Sequence, residues 1–413
     1  MNAKGSKKVL VLGAGAQGNV VAWILARAGE VGSLVLADLD PRRAEETARN
    51  AGGGVKVEQA DASDAAGIEA LLRAGRFDLV VNTAIPEFIP RVMHAALAAG
   101  IDYLDLTSLV LHEREGCPVE QFEEAEAWRA SGRTAFINGG SAPGLTNIMA
   151  RESADELDAI DAIRIRDYSV VTSDELVTLW SPKVFLVDCA TPPLIWDDGR
   201  PKRVPIFSGA EEYDFPPPVA RRGTIYLHAH EEPATLPLFV GKRVRTCDYK
   251  IGEPDIDVWR FIVERLGLMD ETPIEIGGAR VSPRDLLLKK MPPTLSPDRL
   301  RALVAAGRLD GRTMVLTEVT GWKNGIGLRL TRWTESPHLR DAGAVIAGAS
   351  DISLLTSVPA ATFALMLLRG RLGRTGVVLP EMLDAAQREE FRREIARFGI
   401  RIATRTEPFP ATG

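Results

Sequence analysis

The stretch VLVLGAGAQGNV, from Val9 to Val20, decides the fold of this chain. A short apolar strand runs into Gly13, Gly15 and Gly18 and is followed by a helical pattern. Gly13 permits a tight turn, Gly15 lets a phosphate approach the backbone, and Gly18 lets the helix pack closely against the strand. Phosphates bind at the start of such a helix, where free N–H groups and the positive end of the helix dipole coincide. The stretch therefore predicts a dinucleotide-binding βαβ unit.

An acidic residue at the expected offset completes this pattern. Asp38 lies 20 residues beyond Gly18, at the end of the apolar run SLVLAD, where its carboxylate can accept hydrogen bonds from the adenosine ribose. A carboxylate there repels a 2′-phosphate, so NAD is the favoured cofactor. Arg42 and Arg43 follow closely and could neutralise such a phosphate, so NADP stays possible. A glycine-rich turn without a ligand is the alternative interpretation, and the combined strand, helix and acid disfavour it.

Composition and charge exclude several classes of protein. The chain has 413 residues, of which 45% are apolar and 26% charged, as in globular proteins. The net charge of −6 offers no basic face to nucleic acid. Cys117, Cys189 and Cys247 form no C-x-x-C pair, which argues against a thiolate zinc site or a disulfide framework and favours a reducing compartment. The polar start MNAKGSKK and the short apolar run 360–368 predict a cytoplasmic protein without membrane partners.

The order of elements predicts two fold types in one chain. The first ~140 residues alternate strands and helices, which predicts an α/β, Rossmann-type doubly wound parallel sheet with six strands. The pattern then changes to alternating strands, including a hairpin at Asn324-Gly325, which predicts an α+β second domain with a mixed or antiparallel sheet. The Pro-rich region 192–218 is expected to be a surface loop, and 357–369 an amphipathic helix.

Ligands of doubly wound sheets bind beyond the carboxyl ends of the strands. Residues that follow the predicted strands are therefore candidates for contact with the cofactor, although each could instead be a turn former. Beyond Gly13, Gly15, Gly18 and Asp38, the predicted cofactor-binding residues are Ala16, Gln17, Asp61, Ala62, Thr83, Ala84, Ile85, Pro86, Thr107 and Ser108.

The run HAHEEP, from His228 to Pro233, is the second chemical signal. On a continuing strand, His228 and His230 would share one face with Tyr226. Two histidines beside two carboxylates suit general base catalysis. A metal site is the less favoured interpretation because no further spaced ligand is evident, and none is predicted. An arginine fork could hold a substrate carboxylate, and the candidates are Arg164, Arg166, Arg221 and Arg222.

Several segments together resemble the saccharopine dehydrogenase family in its broad sense, with its saccharopine reductases, carboxynorspermidine dehydrogenases and lysine 6-dehydrogenases. The segments are GAGAQG, VVNTAIPEFIPRVMHAALAAGIDYLDLTS, INGGSAPGLTNIMA, HEEPATLP and GVVLPEML. The SAPG sequence departs from saccharopine reductases, which tend to carry an acidic residue before Pro-Gly. Lysine 6-dehydrogenase-like or other amine chemistry therefore stays open.

The resemblance implies an NAD(P)-dependent oxidoreductase that acts on a C–N bond of an amino acid or polyamine derivative. It implies a dinucleotide-binding domain over 1–146, a substrate and homodimerisation domain over 147–345, and a segment 346–413 that packs back toward the first domain. Residues implied to border the substrate are Ser141, Pro143, Gly144 and Asn147. His230 and Glu232 would face it from the second domain, and Arg166 is the expected carboxylate contact.

The expected reaction needs a base, and His230 and Glu232 are the residues expected to face the substrate. An ammonium must lose its proton before hydride can leave the neighbouring carbon, so a base is needed, and His230 or Glu232 is the expected base. One alternative is a dehydrogenase of an alcohol or sugar, which would need an acid such as Lys183 or Tyr168 near the nicotinamide. Another alternative is a sensor or scaffold that binds NAD without turnover.

Overall fold

The structure is a computed structural model that describes residues 6–52, 54–110 and 118–408. Strands and helices alternate up to residue 156. The strands are β1 (Lys7–Leu12), β2 (Val31–Asp38), β3 (Val55–Gln59), β4 (Leu79–Asn82), β5 (Asp102–Asp105) and β6 (Thr134–Phe136). The helices are α1 (Ala16–Leu25), α2 (Pro41–Ala51), α3 (Ala65–Gly75), α4 (Ile89–Ala99), α5 (Ala125–Ser131) and α6 (Leu145–Glu156), with 3₁₀ turns at Pro86–Phe88 and Glu120–Glu124.

Strands dominate the middle of the chain. They are β7 (Ala159–Ser173), β8 (Leu194–Asp197), β9 (Arg200–Arg203), β10 (Glu211–Asp214), β11 (Arg222–Leu227), β12 (Thr246–Gly252), β13 (Ile274–Ile276), β14 (Ala279–Val281), β15 (Leu309–Lys323) and β16 (Ile326–Glu335). The helices here are α7 (Pro182–Ala190), α8 (Glu232–Phe239), α9 (Ile256–Arg260) with a π-helical turn at Phe261–Arg265, α10 (Pro283–Lys290), α11 (Pro297–Ala305) and α12 (Leu339–Val345). The chain closes with α13 (Asp351–Leu368), β17 (Gly376–Val378), a 3₁₀ turn at Pro380–Met382, α14 (Ala385–Ala396) and β18 (Arg401–Pro408).

The first sheet is the predicted parallel, doubly wound one. Its strand order is β17-β6-β5-β4-β1-β2-β3, and all its pairs are parallel. The direction of winding reverses at β1, which lies between β2 and β4, so the crevice that binds ligands in such folds lies at the end of β1. The sheet has seven strands and not six, because β17 comes from far along the chain and pairs with β6.

The second sheet is mixed, as predicted. Its nine strands follow the path β10-β11-β12-β7-β15-β16-β18, with β8 and β9 attached beside β12. The β12–β7 pair is parallel and the other pairs are antiparallel. Asn324 and Gly325 connect β15 to β16 with φ values of 51° and 77°, the left-handed geometry that a two-residue hairpin turn needs. The predicted hairpin is therefore confirmed.

Two local predictions are wrong in this middle part. The region 192–218 is not a loop throughout, because it contains β8, β9 and β10. Their short, charged sequences hide the alternation by which strands are recognised. The strand expected to carry His228 and His230 ends at Leu227, so the two histidines lie in the connection to α8 and share no strand face with Tyr226.

The helix expected to be amphipathic is a core helix. It begins at Asp351, where the Ser350 side chain caps it, and every residue of 357–367 is buried. It packs against α1, α14 and β15, so it has no solvent face to be polar. By length and composition alone, Asp351–Leu368 is the one helix in the described ranges that could cross a membrane, but 78% of it is buried within the protein. That burial is what a helix in the middle of a globular core shows.

The segment after residue 345 contributes to both sheets. Phe363 of α13 stacks on Phe391 of α14, with ring centroids 4.4 Å apart, and contacts Phe136 of β6 at 4.5 Å. β17 extends the first sheet, and β18 forms an edge of the second. The domain boundaries at residues 146 and 345 stay a prediction. Cys189 and Cys247 are buried and free, and Cys117 lies outside the described residues.

Candidate active site

The glycine turn after β1 has the geometry that its sequence predicts. Gly13 has a φ of +101°, and a Cβ on it would come within 2.9 Å of the Thr83 backbone. A Cβ on Gly18 would lie 1.9 Å from the carbonyl oxygen of Gly13. None of the described residues has an atom within 4 Å of the position that a Cβ on Gly15 would take. Two of the glycines are thus needed for packing, whereas Gly15 keeps open the space in front of the N-terminus of α1.

The predicted ribose acceptor is held at this turn. Oδ2 of Asp38 accepts a hydrogen bond from the Ala14 backbone N–H at 2.7 Å, and Oδ1 accepts one from Asp40 at 2.9 Å. Each carboxylate oxygen has a second lone pair, so acceptance from a ribose hydroxyl remains possible. Asp61 is exposed, and the Ser63 backbone and hydroxyl donate to its carboxylate. Ala62 packs in the apolar cluster beneath.

One cavity of about 470 Å³ joins the two sheets. Its first wall comes from the ends of β4 and β5 and from α1. Its second wall comes from β7, β12, α7 and the HAHEEP run, and α13 and β15 contribute its floor. Of the predicted cofactor-binding residues, those that line it are Gln17, Thr83, Ala84, Ile85, Pro86, Thr107 and Ser108. Six of these residues follow predicted strands and Gln17 belongs to α1, and the structure brings all seven to one space.

His230 is the charged centre of the second wall. Its Nδ1 atom lies 2.5 Å from Oε2 of Glu232 and 3.1 Å from Oε2 of Glu231. Its ring stacks on Tyr249 at 3.8 Å between centroids, with the planes 10° apart. Burial lowers the pKa of His230, but the charges of Glu232 and Glu231 outweigh it and raise the pKa to about 10. The ring is therefore an imidazolium at neutral pH.

The two carboxylates beside His230 have different places. Glu231 lines the cavity and accepts a hydrogen bond from the Thr107 hydroxyl, which connects the two walls. Glu232 is fully buried outside the cavity lining, and its Oε1 accepts from Thr146 at 2.7 Å. Glu232 thus holds His230 from behind.

The neighbouring histidine has the opposite charge state. Burial, together with the charge of His230, lowers the pKa of His228 to about 3. Between about pH 3 and about pH 10, His228 is therefore neutral while His230 is charged. Of the two predicted histidines, only His230 offers the cavity a proton at neutral pH.

The residues implied to border the substrate divide into two groups. Ser141 lines the cavity, and its buried hydroxyl has no hydrogen-bond partner among the described residues. Pro143, Gly144 and Asn147 lie behind the lining. Asn147 accepts from the Gly144 backbone at 2.8 Å and donates to Glu381 at 3.0 Å, so it fixes the turn that presents Ser141.

The structure does not bring Tyr168 and Arg166 to the cavity. The Tyr168 ring packs on Phe215 with centroids 4.8 Å apart, in a separate apolar cluster. Arg166 is buried between Asp248 and Glu211 and forms ion pairs with both. Both lie on β7 with side chains turned away from the lining, a feature that the sequence pattern does not reveal. Lys183 does line the cavity, where it pairs with Glu87.

Among the lining residues that escaped the sequence-based prediction, four matter most for the chemistry of the cavity. Tyr249 donates a hydrogen bond to Asp167 at 3.0 Å, and burial raises the pKa of Asp167 to about 6. Burial, reinforced by the charge of Glu231, raises the pKa of Asp188 well above its usual value. The fourth is Arg203, from β9. None belongs to a recognisable motif, because tertiary folding alone brings them together.

Ligand atoms of His230, Glu231 and Glu232 lie within 4.8 Å of one another, close enough to share a metal ion. The hydrogen bond from His230 to Glu232 accounts for the closeness of these side chains without a metal ion, because a proton lies between them. A proton on Nδ1 excludes this atom as a metal ligand.

The ion pair between His230 and Glu232 leads to the first testable prediction. Glu232→Gln should lower the pKa of His230 by about 1 to 3 pH units, because it removes the nearer carboxylate. An NMR titration of the imidazole protons measures this change. Glu231→Gln, at the longer distance, should produce a smaller decrease, and Glu212→Gln at an exposed position should produce none. A His230 pKa unchanged in Glu232→Gln would contradict the assignment.

Comparison with known families gives consistent matches along the chain. Residues 9–136 match the family model described as the saccharopine dehydrogenase NADP binding domain, and residues 140–400 match the saccharopine dehydrogenase C-terminal domain. The carboxynorspermidine synthase of Vibrio cholerae serotype O1 is 26% identical over 91% of this chain and 92% of that protein. The carboxyaminopropylagmatine dehydrogenase of Synechocystis is 25% identical over 95% of this chain and 96% of that protein.

Solved structures share the fold. Apo saccharopine dehydrogenase (L-Glu forming) from Saccharomyces cerevisiae superposes with a TM-score of 0.67 at 15% identity, covering 97% of this chain and 100% of the other. The homospermidine synthase of Legionella pneumophila, solved in complex with NAD, superposes with a TM-score of 0.69 at 12% identity, covering 97% and 92%. At these identities the likeness extends to the fold alone.

Proposed function

We propose, from the premise that this chain belongs to the saccharopine dehydrogenase family of NAD(P)-dependent oxidoreductases, that it acts on a C–N bond of a polyamine or amino-acid derivative. The two family models that match residues 9–136 and 140–400 confirm the family expected from the sequence. The observation that carries the proposal is the place of His230, which is held by Glu232 in the cavity wall opposite the predicted cofactor residues. Two relatives named for carboxylated polyamines, each aligned along more than nine-tenths of the chain, favour the polyamine class.

The glycine turn after β1, next to the first wall, suits a dinucleotide. The space at Gly15 and the free N–H groups of α1 fit a pyrophosphate, and the Asp38 oxygens fit a ribose. When bound, the nicotinamide supplies the hydride chemistry. Arg42 and Arg43 are exposed and follow Asp38 closely in the chain. They can neutralise the 2′-phosphate of NADP, so the site fits NADP as well as NAD.

His230 would exchange the proton that the C–N chemistry requires. As an imidazolium it can donate to the substrate nitrogen when an imine is reduced to an amine. In the reverse direction the neutral ring accepts the proton that an ammonium must lose. Of the two bases expected from the sequence, His230 is therefore the one proposed to touch the substrate, and Glu232, turned away from the cavity, is a positioning residue.

A homodimer in the cytoplasm completes the proposal. Val258, Phe261 and Leu266 are apolar side chains of the second part that are each about half exposed, and a second copy would cover such a surface. The free cysteines Cys189 and Cys247 suit a reducing compartment.

A substrate panel tests the function. Protein is mixed with NAD or NADP and with lysine, ornithine, saccharopine or carboxynorspermidine, and the absorbance of reduced nicotinamide is followed. We expect turnover with an amine of this class and none with alcohols or sugars. Lys183 keeps an alcohol or sugar dehydrogenase as the second candidate, because this lysine lines the cavity, and turnover of those substrates alone would support it. Tight cofactor binding without any turnover would instead support a sensor.

A further inference from the structure

Tyr249 packs directly against the ring of His230. It lies in the middle of β12, is almost fully buried, and lines the cavity. The two rings lie face to face, with centroids 3.8 Å apart and planes inclined by 10°. The ring of His228 is also near Tyr249, but at 6.4 Å and 40° it does not stack. Of the two histidines, Tyr249 therefore contacts the one that carries a charge at neutral pH.

The register of the second sheet produces this stack. The backbone N–H of His228 donates to the Tyr249 carbonyl at 3.2 Å, directly after the paired residues of β11 and β12. His230 follows two residues later, and its ring comes to lie on the Tyr249 ring before α8 begins. The Tyr249 hydroxyl donates to Oδ2 of Asp167, on the neighbouring strand β7, at 3.0 Å. Tyr249 is thus itself held at both ends.

A flat aromatic face is a favourable neighbour for a charged imidazole. The face carries partial negative charge, so it attracts a cation above it, and the attraction is greater where water is excluded. A hydrogen bond at Nδ1 fixes one point of the His230 ring, whereas contact with a flat face also fixes its plane. The carboxylates around the same ring are those of Asp167, Asp188, Glu231 and Glu232.

We infer that Tyr249 is a positioning residue of the reaction, which keeps the His230 ring in one plane so that Nε2 keeps one orientation toward the cavity. This inference rests on the proposed function, in which His230 exchanges a proton with the substrate. Nδ1 is engaged with Glu232, and Nε2 has no hydrogen-bond partner among the described residues. A ring that tilted about the Nδ1 contact would displace Nε2, and proton transfer depends steeply on such a displacement.

Substitutions that separate the ring face from the hydroxyl test the inference. Tyr249→Leu removes the face, so the pKa of His230 should fall by about 0.5 to 1.5 pH units. Its kcat should fall at least about tenfold, with a smaller change in KM, because the proton donor is misplaced. Tyr249→Phe restores the face without the hydroxyl and should recover the pKa and most of kcat. NMR titration of the imidazole protons and steady-state kinetics with the amine from the substrate panel measure these effects.

Tyr213→Leu is the matched control. Tyr213 belongs to β10 of the same sheet, packs on Phe215 with ring centroids 4.9 Å apart, and lies outside the cavity lining. This variant should leave the His230 pKa and kcat unchanged. The wild-type protein supplies a measurement that needs no variant. The carbon-bound ring protons of His230 lie over the Tyr249 face, so they should resonate upfield of those of the exposed His94.

Three results would overturn the inference: an unchanged His230 pKa and kcat in folded Tyr249→Leu, no recovery in Tyr249→Phe, or no upfield shift in the wild-type protein. The NMR measurements need no turnover, so the two claims can fail separately. The expected NMR results in a protein that turns over no amine would count against the proposed function, while the placement of the ring by Tyr249 would stand. Turnover that is lost in His230→Gln but undiminished in Tyr249→Leu would count against the inference alone.

Discussion

Replacing Gly15 with valine should weaken NAD(P) binding at least about 100-fold while the protein remains folded. No atom of the described residues lies within 4 Å of the added Cβ position, so the new Cβ meets no protein clash. It does fill the space through which a pyrophosphate reaches the N–H groups of α1. Charge-assisted hydrogen bonds of this kind contribute about 1.5–3 kcal/mol each, so the loss of two accounts for the expected effect. Calorimetric titration with NADP and NAD measures it.

Two other glycines are matched controls for this experiment. Gly29 also has open space around its Cβ position but follows α1 at its far end, so Gly29→Val should leave both folding and cofactor binding intact. Gly18→Val should instead lower the thermal midpoint, because its Cβ would lie 1.9 Å from the Gly13 carbonyl oxygen. Cofactor affinity in Gly15→Val equal to that of the wild-type protein would contradict the placement of the diphosphate.

Local sequence predicted most of the first sheet because its strands alternate with helices along the chain and end in turns with recognisable sequence signals. The seventh strand, β17, is three residues long, and only its pairing with β6 far back in the chain makes it a strand. The helix α13 was misjudged for a related reason. Its sequence pattern predicts one face toward solvent, whereas neighbours from both parts of the chain surround the helix.

In the candidate site, too, the residues that share one short run of sequence were predictable, and those that only the fold brings together were not. His230 and Glu232 were recognisable because they belong to one short run that resembles a family motif. Tyr249, Asp188 and Arg203 lie on three different elements, β12, α7 and β9, and no spacing rule connects them. The prediction for Arg166 rests on its residue type, but its neighbours Asp248 and Glu211 already neutralise it. Residue type alone therefore did not identify the arginine that lines the cavity.

Replacing His230 with glutamine should lower kcat/KM by about 100- to 10,000-fold, the range that a lost general acid–base group costs. Glutamine can still hydrogen-bond to Glu232, but it cannot gain or release a proton. Steady-state kinetics with the amine identified by the substrate panel measure the effect in both directions. His94→Gln is the control, because His94 is exposed on α4 and lies outside the cavity. Turnover unchanged in His230→Gln would remove this residue from the proposed role.

The pH dependence gives the sharper test of that role, because its sign differs between the two directions. The Glu232 and Glu231 charges raise the pKa of His230 to about 10 against the opposing effect of burial. Imine reduction needs the imidazolium, so its kcat/KM should be level below pH 10 and fall above it. Amine oxidation needs the neutral ring, so its kcat/KM should rise with pH toward 10.

The substrate ammonium also titrates in the alkaline range, so the wild-type profile of amine oxidation alone does not identify His230. Glu232→Gln separates the two groups. It lowers the pKa of His230, because the carboxylate 2.5 Å from Nδ1 is gone, but it leaves the pKa of the free amine where it was. In this variant, the part of the oxidation profile that reports His230 should therefore move to lower pH, while the part that reports the substrate ammonium should stay in place. The pH at which imine reduction declines should move to lower pH as well. If the profiles of oxidation and of reduction are both unchanged in Glu232→Gln, the proton that reaches the substrate nitrogen does not come from His230.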